Sequence, residues 1–256
     1  MLVGGRTEGV FMLMALCALA SSGCARVEVE TPAEAARRQA AAAGAASPAV
    51  SASGHSVERD GPIEWPDDVD KVSYPLDGYD RSAPGSGKAK CPDVQLVSYE
   101  GDALRYHKPL KVSPFFRERL LQFELVVKDV ARRHYGREPS AIVHYGAFNC
   151  RRINGRKKLS EHSLGNALDV AGFSFDADPM LPGPLGDDLR IRLLEHWRAT
   201  DPVGAHHADF LHDLARELAA RPDIFRGMLG PGAAGHENHF HLDVGVWRYL
   251  DIDAVR

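Results

Sequence analysis

This sequence predicts an α+β fold: a small antiparallel sheet with helices on one face and a metal-binding cluster on the other. Three observations carry that prediction. In residues 167–173 (ALDVAGF), Leu168 and Val170 alternate with Ala167, Asp169 and Ala171, and in 239–243 (HFHLD) apolar and polar residues alternate; successive side chains of a strand point to opposite faces. Leu168, Val170, Phe240 and Leu242 therefore share one side of the pair, and Asp169, His239, His241 and Asp243 the other. Between Ser113 and Gly136, Phe116, Leu120, Phe123, Val127 and Val130 form an apolar stripe at helical spacing.

In chain order, residues 1–23 carry Arg6, an apolar run over 10–20 and then Ser21, Ser22 and Gly23. The run is too short to span a bilayer as a mature helix and reads as a secretory signal. Cys24 directly after small residues looks like a bacterial lipoprotein processing site, although Ser21 stands where leucine is usual; ordinary signal cleavage nearby is the alternative. A lipidated Cys24 followed by Ala25 implies an exported protein on the periplasmic face of the envelope, anchored in the outer membrane. Residues 24–87 are rich in Ala, Pro, Ser and Gly and read as a flexible tether. Residues 63–79, with Trp65, Tyr74 and Tyr79, are an arm that could pack on the domain instead. The folded domain is expected over residues 88–256, long enough for one sizeable core. Cys91 and Cys150 remain once Cys17 goes with the signal and Cys24 with the lipid, and an even pair in an exported protein reads as a disulfide.

Ser113 followed by Pro114 starts the helix and Gly136 stops it. Residues 143–152 read as a strand, and Asn154–Gly155 as a hairpin turn that returns the chain to Ser160 and His162. Residues 175–184 read as a loop, 187–198 as a short helix using Leu189, Leu193, Leu194 and Trp197, and 206–220 as a second helix ending before Pro222. His206, His207 and His212 lie on an otherwise polar helix face, where histidines are usually solvated. The same reading covers His55, His107, His134, His144 and His196. Residues 230–235 form a turn into the last strand, and Trp247, Tyr249 and Leu250 close the core edge.

The chemistry gathers in residues 160–173 (SEHSLGNALDVAGF) and 237–243 (ENHFHLD). His162, from the loop before the strand, would join Asp169 and the histidines of the last strand: two imidazoles and one carboxylate around an open position suit catalytic zinc. A lone His and Asp seven apart, or a lone HxH, would ordinarily be structural, but the two motifs together in this order are far more specific. The hairpin cations Arg151, Arg152, Arg156, Lys157 and Lys158 read either as a rim attracting carboxylates or as a solvated turn. The net charge of −4 leaves no nucleic-acid footprint.

At these residues the chain resembles the bacterial extensin-like C-terminal domain proteins, which belong with the zinc D-Ala-D-Ala carboxypeptidases and LAS-type murein peptidases. The resemblance rests on Cys91–Pro92, Cys150–Arg151, residues 160–173, the MLGPG of 228–232 and residues 236–243. It implies a Hedgehog/DD-peptidase-like fold, with Zn2+ held by His162, Asp169 and His241 and with His239 as a supporting or catalytic histidine. It further implies that Arg151 faces substrate or the oxyanion, with Ser160 beside it, and that peptidoglycan peptides are the substrate. Relatives commonly carry a second cysteine pair that this chain lacks. Many also place Asp or Glu where this chain has Asn238, so the general base is left among His239, Glu237 and His236. The alternative function is a noncatalytic wall-binding or scaffolding lipoprotein that keeps the metal site.

Overall fold

The cap chemistry at Ser113 acts as its residue type requires: its Oγ accepts the Phe116 N–H at 3.1 Å and donates to Asn166 Oδ1 at 2.6 Å. Pro114 opens helix α1 (Pro114–Tyr135), and Gly136, in the left-handed conformation at φ 67°, ends it. All five residues of the predicted stripe are fully buried, each worth about 1.5–3 kcal/mol of transfer free energy. This computed structural model describes residues 62–74 and 78–253. The predicted signal sequence, Cys24 and most of the tether lie outside them.

The strands among the described residues are β1 (Val97–Tyr99), β2 (Leu110–Val112), β3 (Ala141–Gly146), β4 (Ala167–Phe175), β5 (Leu189–Arg192), β6 (Gly227–Leu229), β7 (Phe240–Asp243) and β8 (Tyr249–Asp251). β1 and β2 make a two-stranded antiparallel sheet. The other six form one larger sheet in the order β3-β4-β7-β6-β8, with β5 paired to the C-terminal half of β4. The fold is thus mixed α+β as expected, but its main sheet is mixed and not antiparallel throughout, because β8 runs parallel to β6. Near its middle β4 bulges: Val143 pairs with Gly172 and His144 with Val170, leaving Ala171 unopposed. Parity shifts there, so Leu168 and Val170, then Phe173 and Phe175, all enter the core. Glycine is required at 172 because a Cβ would lie 2.0 Å from Ile191 O of β5.

Two helices follow, α2 (Leu193–His196) and α3 (Pro202–Ala219). The helix expected over 187–198 is a strand followed by one helical turn, since Leu-Arg-Ile-Arg alternates with period two and pairs with β4. α3 begins four residues before the expected start, where Asp201 Oδ1 caps the Gly204 N–H at 3.0 Å and Pro202 follows. The strand expected over 143–152 ends at Gly146; the chain then turns away from the sheet, and only an isolated Arg152–Leu159 bridge closes the hairpin.

The core lies between the apolar sheet face and the helices. Phe210 of α3 meets Phe173 and Tyr135, Phe225 meets Phe116 and Phe123, and Trp197 meets Phe240. Three histidines expected in solvent are inside: His212 Nε2 donates to Trp197 O (3.0 Å), His144 Nε2 donates to Lys108 O (3.0 Å), and His207 Nδ1 lies 2.9 Å from the Tyr135 hydroxyl. The Cys91–Cys150 disulfide is formed. Ile63, Arg81 and Ala83 are buried as well, so ordered packing extends N-terminal to Lys88.

Candidate metal centre

β4 and β7 are antiparallel neighbours, and their register sets Asp169 directly opposite His241, flanked by the Leu168–Leu242 and Val170–Phe240 pairs. The flanking pairs face the helices, so Asp169 and His241 face away from them. His162 arrives on a single 3-10 turn, Glu161–Leu164, which ends at Gly165 in the left-handed conformation, φ 69°. Glycine is needed there twice over, because a Cβ would also meet Ser113 N at 2.9 Å and a Leu96 methyl at 2.5 Å. The Gly165 carbonyl accepts from Ser113 N at 2.9 Å, fastening this turn to the start of α1.

His162 Nε2 lies 3.1 Å from Asp169 Oδ1 and 3.1 Å from His241 Nδ1, and His241 Nδ1 is 3.0 Å from Asp169 Oδ1. Among the described residues this is the group of ligating side chains whose atoms converge in a way that could hold a metal ion. Zinc bonds of 2.0–2.1 Å in a tetrahedron set ligand atoms about 3.3 Å apart, so the triangle needs only slight expansion. Each ring is aimed by its far nitrogen: His162 Nδ1 bonds Ala147 O at 2.6 Å, and His241 Nε2 bonds Asp243 Oδ2 at 3.0 Å. Asp243 is itself fixed by the Gly245 N–H at 2.8 Å and by the Tyr249 hydroxyl. A carboxylate or carbonyl behind a ligating imidazole fixes its tautomer and orientation.

The electrostatics follow from this packing. Burial opposes ionisation of Asp169, but hydrogen bonds and charge from His162 and His241 outweigh it and hold the carboxyl well below the usual range. Burial likewise opposes a charge on His241, while Asp169 and Asp243 together raise it to about 9. His239 Nε2 sits at the edge of the cluster, 3.6 Å from Asp169 Oδ1, and burial lowers this imidazole to about 4, keeping it neutral. Its Nδ1 lies 2.8 Å from Asn238 Oδ1, and the Asn238 amide donates to the Tyr145 hydroxyl at 3.2 Å. With the Asn238 nitrogen committed to Tyr145, its oxygen accepts from His239 Nδ1–H and leaves Nε2 able to take a proton.

The other predicted residues fall around this cluster. Glu237 is exposed, and backbone N–H groups, its own and that of Gly235, hold its carboxyl below the usual range. His236 stacks 5.0 Å from His239 and 5.8 Å from His241, its pKa lowered by burial. Arg151 is half-buried, its backbone tied to Ser163 Oγ and Ser160 N. Ser160 is buried in the same turn. Arg152 donates to Ala83 O and Gly87 O, and Lys158 lies over the Trp247 ring, so two of the five hairpin cations serve internal contacts.

Sequence reasoning left Asp243 without a role, although its place on the His239–His241 face was a usable signal. It missed Tyr145, Tyr249 and the Arg81–Glu161 ion pair, which no local spacing announces. Residues 79–250 match the family model described as Extensin-like protein C-terminus. No curated protein and no solved structure matches the chain.

Proposed function

The chain belongs to the extensin-like C-terminal family, and on that premise we propose that it is a zinc-dependent peptidase hydrolysing peptide bonds in peptidoglycan stem peptides or cross-links. The observation that carries the reading is the convergence of His162 Nε2, Asp169 Oδ1 and His241 Nδ1 at 3.0–3.1 Å. A Hedgehog/DD-peptidase-like arrangement accords with this cluster on the sheet face away from the helices. The setting that goes with it is the periplasmic face of an outer membrane, reached through a lipid on Cys24.

His162, Asp169 and His241 would hold the ion, whose bound form supplies Lewis acidity to a carbonyl and to water. His239, with Nε2 free at the edge of the cluster, is placed to accept the proton of the attacking water and pass it to the leaving amine. Asn238 and Tyr145 hold that ring in the useful tautomer. Arg151, with no ion pair among the described residues, is the cation available to a substrate carboxylate or developing oxyanion. Tyr145, near the end of β3, and Phe148, just beyond it, are exposed large side chains that would offer a wall for peptide.

A second reading, a wall-binding domain without turnover, is favoured by Asn238, which puts an amide where relatives carry an acid. Mass spectrometry of purified peptidoglycan incubated with the zinc-loaded protein, beside a His241→Ala control, separates the two. Loss of terminal D-Ala or of cross-linked dimers, absent in the control, supports the peptidase and identifies its bond. An unchanged profile with zinc bound supports the wall-binding domain.

A further inference from the structure

Arg81 and Glu161 form a buried ion pair immediately beside His162. The guanidinium grips both carboxylate oxygens, Nε on Oε1 and an Nη on Oε2 at 3.0 Å, and its other Nη donates to Tyr79 O at 2.9 Å. Only 6% of Arg81 and 5% of Glu161 are exposed. Breaking such a pair from one side leaves an uncompensated buried charge.

The position of Glu161 gives the pair its consequence. Glu161 opens the 3-10 turn that carries His162. Its carboxyl group also lies over Gly245, where a Cβ would approach the carboxyl carbon to 2.6 Å. The Gly245 N–H holds Asp243, and Asp243 holds His241. One carboxylate therefore touches the supports of both imidazoles.

Arg81 reaches it from 80 positions upstream, on a segment stitched along the hairpin. Leu159 N donates to Arg81 O at 2.7 Å and Ala83 N to Lys157 O at 2.9 Å, and Ser82 bridges Lys158. Further along, Arg152 binds Ala83 O and Gly87 O, and the Cys91–Cys150 disulfide closes the far end.

We propose that residues 79–91 are a strap that completes the metal centre, with Arg81 as its positioning residue. When the strap is docked, its guanidinium neutralises Glu161 and fixes the supports of His162 and His241 together. Without Arg81, Glu161 loses the two-point grip on its carboxylate, and the turn bearing His162 shifts with it. The inference rests on the zinc reading of the cluster.

The test is the zinc dissociation constant of the full-length chain, measured by competition with a chromophoric chelator at a temperature where circular dichroism shows every variant folded. Arg81→Gln is expected to weaken zinc binding about 10- to 100-fold, the usual effect of losing a support behind a ligand. Arg81→Lys, which keeps the charge but loses the planar fork, is expected to recover part of that loss. An Arg81→Gln protein with wild-type affinity and a lowered melting temperature in chelator would make the strap a purely structural brace and overturn the proposal. Should Arg81→Gln fail to fold, Arg81→Lys decides: several-fold weakening supports the proposal, and wild-type affinity overturns it. His162→Ala is the control for the underlying reading. If it binds zinc as tightly as wild type, the metal assignment itself falls, and the strap proposal with it.

Discussion

Replacing Asp243 by Asn should weaken both the fold and the metal centre, and the structure says by how much. The carboxylate is 1% exposed. Oδ2 accepts from His241 Nε2 at 3.0 Å and from the Tyr249 hydroxyl, and Oδ1 accepts from the buried Gly245 N–H at 2.8 Å. An amide keeps one accepting oxygen. If that oxygen takes the place of Oδ2, the Gly245 N–H faces an NH2 group. If it takes the place of Oδ1, His241 Nε2 must accept a hydrogen bond, and its proton moves to Nδ1, the nitrogen aimed at Asp169 and His162. One buried donor left without an acceptor costs about 1–3 kcal/mol. For a domain of this size that is roughly 2–4 °C of melting temperature per kcal/mol, so about 4–8 °C at the middle of the range. Zinc affinity should fall about 10- to 100-fold through the misdirected ring. Thermal melts in chelator and chelator-competition titrations measure the two effects separately. A variant with wild-type melting temperature and wild-type affinity would refute the reasoning, and a lower melting temperature with unchanged affinity would refute its metal half.

Phe210→Ala removes a fully buried ring packed on Phe173, Phe175 and Tyr135, and should cost about 3–5 kcal/mol in urea unfolding. Reducing the Cys91–Cys150 bond, whose sequence separation is 59, should cost about 4 kcal/mol by loop entropy, read as a lower denaturation midpoint in dithiothreitol. His207 supplies a pH dependence: burial lowers it from 6.5 to about 4, so between those values the unfolded chain binds the proton and the folded chain does not. Stability is therefore full above about pH 6.5 and falls as pH drops towards 4, by up to about 3 kcal/mol; His207→Asn, compared with wild type in chelator, should flatten that slope.

The parts of this fold that could be read from the sequence are those where one period decides everything. The α1 stripe and caps are explicit in residue type, and the alternation through Asp169 and through His239–His241–Asp243 was enough to put the polar cluster on one face and core on the other. The same alternation fixes the parity of the β4–β7 pairing, because a one-residue slip would turn Leu242 and Phe240 to the wrong side; a two-residue slip would not, so that Asp169 stands opposite His241 is known from the sheet itself. Legibility fails where the period is short or broken. Leu189–Arg192 offers only two alternations before Leu193 and Leu194, so an apolar count suggested a helix, and sheet pairing with β4 decided for a strand. The bulge at Ala171 is invisible without the partner strand. His207 and His212 were judged by the polarity of their neighbours in sequence, yet each finds a buried partner, Tyr135 and Trp197, on another element.

The same distinction bears on Asn238. Read along the chain, it is a missing acid. In three dimensions it joins Tyr145 to His239, and its amide, with nitrogen on one and oxygen on the other, selects which imidazole nitrogen keeps its hydrogen. A carboxylate at 238 would accept from both neighbours and could itself take a proton; an amide cannot, but it fixes the neighbouring ring with a definite polarity. On the proposed peptidase reading, the proton-accepting task would fall to the adjacent imidazole, whose Nε2 lies 3.6 Å from Asp169 Oδ1. The dependence on support from elsewhere in the chain deepens accordingly: Ala147 holds His162, Tyr249 acts on His241 through its strand neighbour Asp243, and Tyr145 acts on His239 through the adjacent Asn238. A site assembled this way is only as well defined as the segments that hold it, and on the strap proposal the Arg81–Glu161 pair would therefore tune metal affinity although neither side chain belongs to the His162–Asp169–His241 cluster.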